Sequence, residues 1–382
     1  MVKKILLFFF TWKVVTFLLA YLAIFLISNV PTFESGKFGV SLPFFVKIWG
    51  NFDGYHYMEI AQRGYQNLEQ GFFPLFPIFI KSFTAIFRTP LIISGQIISN
   101  FSFIASLFII NKLLIIDKKK KLFNLLFLII IFFPTSFYYG AVYNDSLFFL
   151  LATLAIYFAR DKKWFLSSFC GGLATLTRLN GLSLFFFILF EYVNKDWSLS
   201  NLVKQCKKCL GFKEILKSKI YSVIIIPLSF TSYLLYINTV LGSWKSLFSS
   251  MKIWGQDKLI FPLIVFWRYF KIIFLYPTFQ LNYWVAVFEL LMVIFYIFLL
   301  FYSFKKIRLS YWILFALSIL IPSLTGTFQG MPRYGLHLFP MYLSISLLLN
   351  KSSFLGKFLY FAFSIILLVF ALTLFTRGYF VA

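Results

Sequence analysis

Asp53, His56 and Tyr57 stand close together in the stretch Trp49–Pro77, WGNFDGYHYMEIAQRGYQNLEQGFFPLFP. Gly54 to Arg63 reads as a helix, with Asp53 at its N-cap and Gly64 as its C-terminal stop. His56, Tyr57 and Ile60 share one face of that helix, and Glu59 and Arg63 are spaced for an i,i+4 ion pair. A carboxylate and an imidazole therefore point the same way, flanked by Trp49, Phe52, Tyr55 and Tyr57. A partly desolvated carboxylate in this setting can act as a general base. The competing reading is that Asp53 only caps its helix.

Few other polar groups are placed to join it. Tyr143-Asn144-Asp145-Ser146-Leu147 reads as a turn that supplies a second carboxylate, Asp145. Thr177-Arg178-Leu179-Asn180-Gly181 interrupts an apolar stretch, and an arginine at membrane depth is costly enough to mark function. Met331-Pro332-Arg333-Tyr334-Gly335-Leu336-His337 sets Arg333 and His337 on one helical face. Arginine recognises phosphate bidentately, which suits a phosphate leaving group. The candidate substrate-binding set around Asp53 is thus His56, Tyr57, Arg63, Asp145, Arg178, Arg333 and His337.

Other chemistries find no support. There is no Walker loop, GxGxxG, HExxH or GxSxG. Cys206 and Cys209 have CxxC spacing without a second pair to complete a zinc site, and Cys170 lies in an apolar span. No cofactor is expected; a divalent ion bridging Asp53 and a phosphate, with Asp145 as second carboxylate, stays open.

The elements that hold these residues must be membrane helices. The chain is 61% hydrophobic and 23% aromatic, with a mean hydropathy of +0.87 and only 13% charged residues. Apolar runs such as Leu122–Phe133 lack the alternation of barrel strands, so the fold class is all-α, a polytopic transmembrane helical bundle. The net charge of +24 would suggest nucleic acid in a soluble protein. Here 22 of the 36 Lys and Arg fall in six short stretches between spans, the positive-inside pattern. No nucleic-acid partner follows from it.

Charge and hydropathy together give about 11 spans in one domain covering residues 1–382. Residues 5–29 cross outward; they are too long for a cleaved signal, and no small-residue site follows them. Lys13 within this span is expected to snorkel inward. An outward loop at 30–90 carries two short interfacial helices. Spans follow near 91–116, 122–141 and 143–160, then a hairpin of two short spans over 164–193 with Arg178 at its tip. A cytoplasmic basic loop occupies 194–219. After a span near 220–241 comes an outward loop, 242–276, whose FPLIVFWRYFKIIF segment reads as interfacial. Spans near 281–303, 309–325, 335–350 and 355–376 complete the bundle. The active residues must then sit on outward loops and span ends.

The motif W–x3–D–G–x–x–Y–x–x–I–A–x–x–G–Y, formed by Trp49, Asp53, Gly54, Tyr57, Ile60, Ala61, Gly64 and Tyr65, resembles the PIG-V-like mannosyltransferases of the GT-C glycosyltransferase superfamily. The FFPLFP that follows, Y–x–[DE]–S–L–F at Tyr143 to Phe148, L–x–R–x–x–G–L at Leu176 to Leu182 and PRY at Pro332 to Tyr334 are similar to the same family, in order. The resemblance implies a polyprenyl- or dolichyl-phosphate sugar donor, usually mannose, used with inversion on the non-cytoplasmic face. The acceptor would be a lipid, glycan or protein, a GPI precursor being one case. Asp53 would take the proton of the acceptor hydroxyl. It also implies a multi-pass protein of the plasma membrane in a prokaryote or of the endoplasmic reticulum in a eukaryote.

Two other classes compete. Broken helices such as 164–193 often line transport sites, which suits a lipid-linked-sugar flippase without transfer chemistry. A non-catalytic membrane subunit would need none of these polar groups.

Overall fold

Helix Val2–Leu26 shows how lipid and protein divide the apolar surface. Ile5, Phe9, Trp12, Thr16, Ala20 and Ala23 recur at helical spacing on its buried stripe, while Leu7, Phe10, Val14, Leu18 and Phe25 stay exposed. In water that outer face would be untenable; in hydrocarbon it is the solvent-facing side. The computed structural model describes residues 2–30, 42–66, 68–193, 217, 219–252, 255–256 and 258–381. Among them there are helices and no strands. Most of the expected basic loop 194–219, with Cys206 and Cys209, lies outside the described residues, as does part of the outward loop 30–90.

Five described helices are long and apolar enough to cross a membrane: Val2–Leu26, Leu91–Ile116, Ile220–Leu241, Leu281–Ser303 and Phe354–Thr376. Shorter ones fill the bundle, including Asp145–Arg160, Leu309–Ser323 and Phe339–Lys351. The segment expected to span at 122–141 differs. Its helix stops after Phe123–Ile131, and a 3-10 turn, Ser136–Gly140, follows. Pro134 explains the break, because it has no N–H to donate and disfavours helical geometry at Phe133 before it.

Small residues let the helices that frame the site approach closely. Ser94, Gly95, Ser99, Ser102 and Ser106 line the buried side of Leu91–Ile116, a packing mode suited to lipid. The 164–193 hairpin forms as Trp164–Thr175 and Ser183–Val193, joined through the 3-10 turn Leu179–Leu182. A Cβ on Gly181 would collide with the Thr175 backbone, so this reversal requires glycine.

Charged groups occupy both ends of the bundle. At the basic end, Arg160 pairs with Asp117 (2.8 Å) and Glu191 (2.9 Å), and Arg308 pairs with Glu191 (2.8 Å). This network ties the ends of four helices. Lys13 joins neither end. Instead of snorkelling inward, its Nζ lies 5.5, 5.3 and 5.3 Å from the ring centres of Trp12, Phe17 and Trp49. The aromatic faces substitute for water around the ammonium.

Candidate active site

Asp53 is the first residue of helix Asp53–Arg63 rather than its cap. The N-cap position falls on Phe52, whose φ of 55° is in the left-handed region. Such a conformation persists only where the surroundings enforce it. Phe52 packs against Phe375 and Phe380, with ring centres 5.9 and 5.4 Å away. On one side Asn51 Nδ2 donates to the Phe375 carbonyl (2.9 Å). On the other, Tyr143 Oη donates to the Asn51 carbonyl (2.9 Å) and the Val142 N–H to that of Trp49 (2.8 Å). With its turn held at both sides, Asp53 presents its carboxylate to a distant segment of the chain. Gly64 stops the helix as expected, at φ 80°, its N–H on the Ile60 carbonyl.

The carboxylate meets Arg333. Arg333 Nη1 lies 2.7 Å from Asp53 Oδ2, and its Nε is 3.5 Å from Asp145 Oδ1. Asp145 Oδ1 also accepts from Arg178 Nη1 at 2.7 Å, and His337 Nε2 stands 2.6 Å from it. Asp53, Arg333, Asp145 and Arg178 therefore form one alternating row of charge. Tyrosine faces support both guanidiniums: Tyr334 lies 5.0 Å from Arg178, while Tyr138 and Tyr143 are 5.4 and 5.1 Å from Arg333.

Burial sets the protonation states outside the spans. It works against the charge of Arg333, but Asp53 and Asp145 outweigh it and hold the guanidinium firmly protonated. His337, in the turn before helix Phe339–Lys351, is pushed down to about 4 by burial and then by Arg178, so it is neutral. Burial raises the Tyr57 hydroxyl far above its ordinary value, leaving it a neutral hydrogen-bonding group.

A cleft of about 190 Å³ opens beside this row, lined by Asp53, Tyr57, Arg178, Arg333 and Tyr334 among others. Asn144, Thr177, Asn180, Gln256 and Gln329 add polar atoms, and Phe72, Phe73, Ile321 and Pro322 an apolar wall. One carboxylate and two guanidiniums thus face a space with both polar and oily surfaces.

Other candidates fall elsewhere. His56 stacks on Phe72, ring centres 4.7 Å apart, with Nδ1 3.9 Å from Glu69. Arg63 pairs with Glu59 (2.5 Å) and Glu69 (3.1 Å). Neither lines the cleft, because the nearby acids and the Phe72 ring engage them first. Asp145 and His337 stand behind the two arginines, and Asp145 is fully buried. A carboxylate so deep must be neutralised by cations, and it anchors them instead of meeting solvent. Tyr138 and the polar lining from Ser250, Gln256, Thr325 and Gln329 were not singled out from sequence, and Tyr143 and Tyr334 were noted only as members of motifs. In a chain with 56 Phe and 22 Tyr, composition cannot mark which rings face a guanidinium.

Comparison with known proteins adds a family. Among solved structures, the crystal structure of the Archaeoglobus fulgidus oligosaccharyltransferase, tethered with an acceptor peptide containing the NVT sequon, is similar at 13% identity and a TM-score of 0.42. The match covers 97% of this chain and 55% of that one, so the chain spans about half the length of that protein. No curated protein matches. The family model Mannosyltransferase (PIG-V) matches residues 2–290, including Asp53, Asp145 and Arg178 and ending before Arg333. By that match over most of its length, the chain belongs to the PIG-V mannosyltransferase family.

Proposed function

We propose that this protein is a membrane mannosyltransferase that moves a sugar from a polyprenyl- or dolichyl-phosphate donor to a lipid, glycan or protein hydroxyl, with inversion, at the non-cytoplasmic face. The observation that carries this reading is the row Asp53–Arg333–Asp145–Arg178 beside a partly apolar cleft. Family membership supplies the reaction class.

Asp53 accepts the acceptor's hydroxyl proton as that oxygen attacks the anomeric carbon. The bond from that carbon to the phosphate oxygen breaks, and the lipid phosphate leaves with the electron pair. Negative charge grows on the departing oxygen, where Arg178 and Arg333 stabilise it more than they stabilise the bound donor. In the resting site Arg333 covers Asp53. A donor phosphate competes for that guanidinium and leaves Asp53 free to take a proton, so the donor binds before the acceptor. The apolar wall admits the first lipid units, and the polar lining meets the sugar.

The test is transfer from a polyprenyl-phosphate mannose by the purified protein in vesicles, with added acceptors of each class. A mannosylated product supports the reading. Movement of the donor between leaflets with no transfer product would replace it with a flippase.

A further inference from the structure

We propose that Glu289 is a positioning residue for Arg333, acting through Tyr269 and the turn Gly326–Gly330. The proposal rests on the phosphate role given to Arg333 above. Glu289 is the only charged side chain in helix Leu281–Ser303, and it is 95% buried there. A carboxylate in such a helix is costly, and a leucine would pack without that cost. Its carboxylate has two partners, the Tyr269 hydroxyl and the Gly330 backbone N–H at the end of the turn. The Tyr269 hydroxyl, from helix Pro262–Leu275, donates its hydrogen to Glu289 Oε2 at 2.5 Å. With that hydrogen committed, the oxygen's lone pairs are directed elsewhere. It accepts the Phe328 N–H at 3.1 Å and lies 3.3 Å from Thr327 Oγ1.

The rest of the turn is fixed by helix Pro262–Leu275 and by the turn's own side chains. Arg268 Nη1 donates to the Gly326 carbonyl (3.1 Å), and the Gln329 N–H donates to Thr327 Oγ1 (3.1 Å). The Phe328 ring, fully buried, sits between Phe266 and Tyr269 with centres 4.8 and 4.9 Å away. Gly326 and Gly330 bracket the segment at φ 93° and 83°. The Gly330 carbonyl then accepts the Arg333 N–H at 2.9 Å, which begins the short helix Met331–Tyr334. Glu289 is thereby joined to the arginine that covers Asp53 by a continuous series of hydrogen bonds and one turn. Without an acceptor at 289, the Tyr269 hydroxyl has no fixed orientation and the Phe328 N–H loses its partner.

Two readouts test this on the full-length protein in vesicles: transfer kinetics, and amide hydrogen exchange over residues 326–334. Glu289→Met and Tyr269→Phe are expected to lower kcat/KM for the donor about tenfold, the effect of losing one buried hydrogen bond. They should also speed exchange at Phe328 and Arg333, while Glu289→Gln, which keeps an acceptor, stays within about twofold of wild type on both. If Glu289 acts through Arg333, its loss should largely vanish in an Arg333→Lys background. Unchanged exchange in both Glu289→Met and Tyr269→Phe, or losses that add fully to Arg333→Lys, would overturn the proposal. Exchange needs no turnover. A wild type that transfers nothing, but whose turn loosens on Glu289→Met and Tyr269→Phe alone, would therefore refute the transferase reading and keep Glu289 as the anchor of this turn.

Discussion

Arg333 and Asp53, 280 positions apart in the chain, meet at 2.7 Å where the cleft begins. The guanidinium belongs to two carboxylates at once, since its Nε also faces Asp145 at 3.5 Å. In the proposed reaction it links the group that would accept a proton to the groups that would hold phosphate. Arg333→Ala is expected to lower transfer about 10²–10³-fold, the usual effect of removing one donor from a developing oxyanion. Arg333→Lys should recover part of this, since it keeps the charge but loses the fork. Initial rates against donor concentration check it; equal rates for Ala and wild type would remove Arg333 from the chemistry.

Arg178 and Asp145 should behave differently from Asp53. Asp145 is fully buried, with Arg178 2.7 Å away, so breaking that pair leaves the buried charge with only the longer 3.5 Å contact to Arg333. Arg178→Ala is expected to destabilise the fold by about 3–5 kcal/mol. Asp53 sits at the cleft, and Asp53→Asn should change stability far less. Thermal unfolding in one detergent compares the two, and the opposite order would contradict the assignment of anchor and reactive group.

His337 gives the fold a pH dependence of known sign. Its imidazole is pushed down to about 4 from an ordinary 6.5, so between those values the unfolded chain binds a proton that the folded one refuses. Its contribution is complete above about pH 6.5 and is lost as pH falls through 4. The unfolding temperature of wild type should drop across this window. His337→Gln should drop less; parallel curves would show that His337 titrates normally.

The same guanidinium bears on metal dependence. Asp53 and Asp145 are the carboxylates that could bridge a divalent ion to a donor phosphate, and Arg333 stands between them, paired with both. Turnover is therefore expected to survive chelation. Loss of transfer with EDTA, restored by Mg²⁺ or Mn²⁺, would contradict this.

The helical membrane class was legible because hydropathy and lysine placement act over whole segments, so that Leu91–Ile116 and Leu281–Ser303 begin and end where their apolar runs do. The hairpin around Arg178 was legible for a related reason, since both its flanks are basic and it must turn back. Helix Asp53–Arg63 was legible too, but its cap was not. Phe52 adopts a left-handed backbone only because Tyr143, Phe375 and Phe380 hold its turn, and those contacts span most of the chain. Arg63 shows the opposite case. Its polarity marked it as a candidate, while the structure pairs it with Glu59 and with Glu69, six residues on, outside the cleft lining. Lys13 stayed in the bundle because three rings from two segments converge on it, a tertiary fact no local pattern carries.

The most direct test of the account is the turnover of Asp53→Asn, which keeps shape and removes the basic carboxylate. With wild-type protein shown to transfer mannose from a polyprenyl-phosphate donor in vesicles, Asp53→Asn should retain donor binding and lose about 10²–10⁴-fold in kcat. Full turnover by Asp53→Asn would contradict the role of this carboxylate as the base.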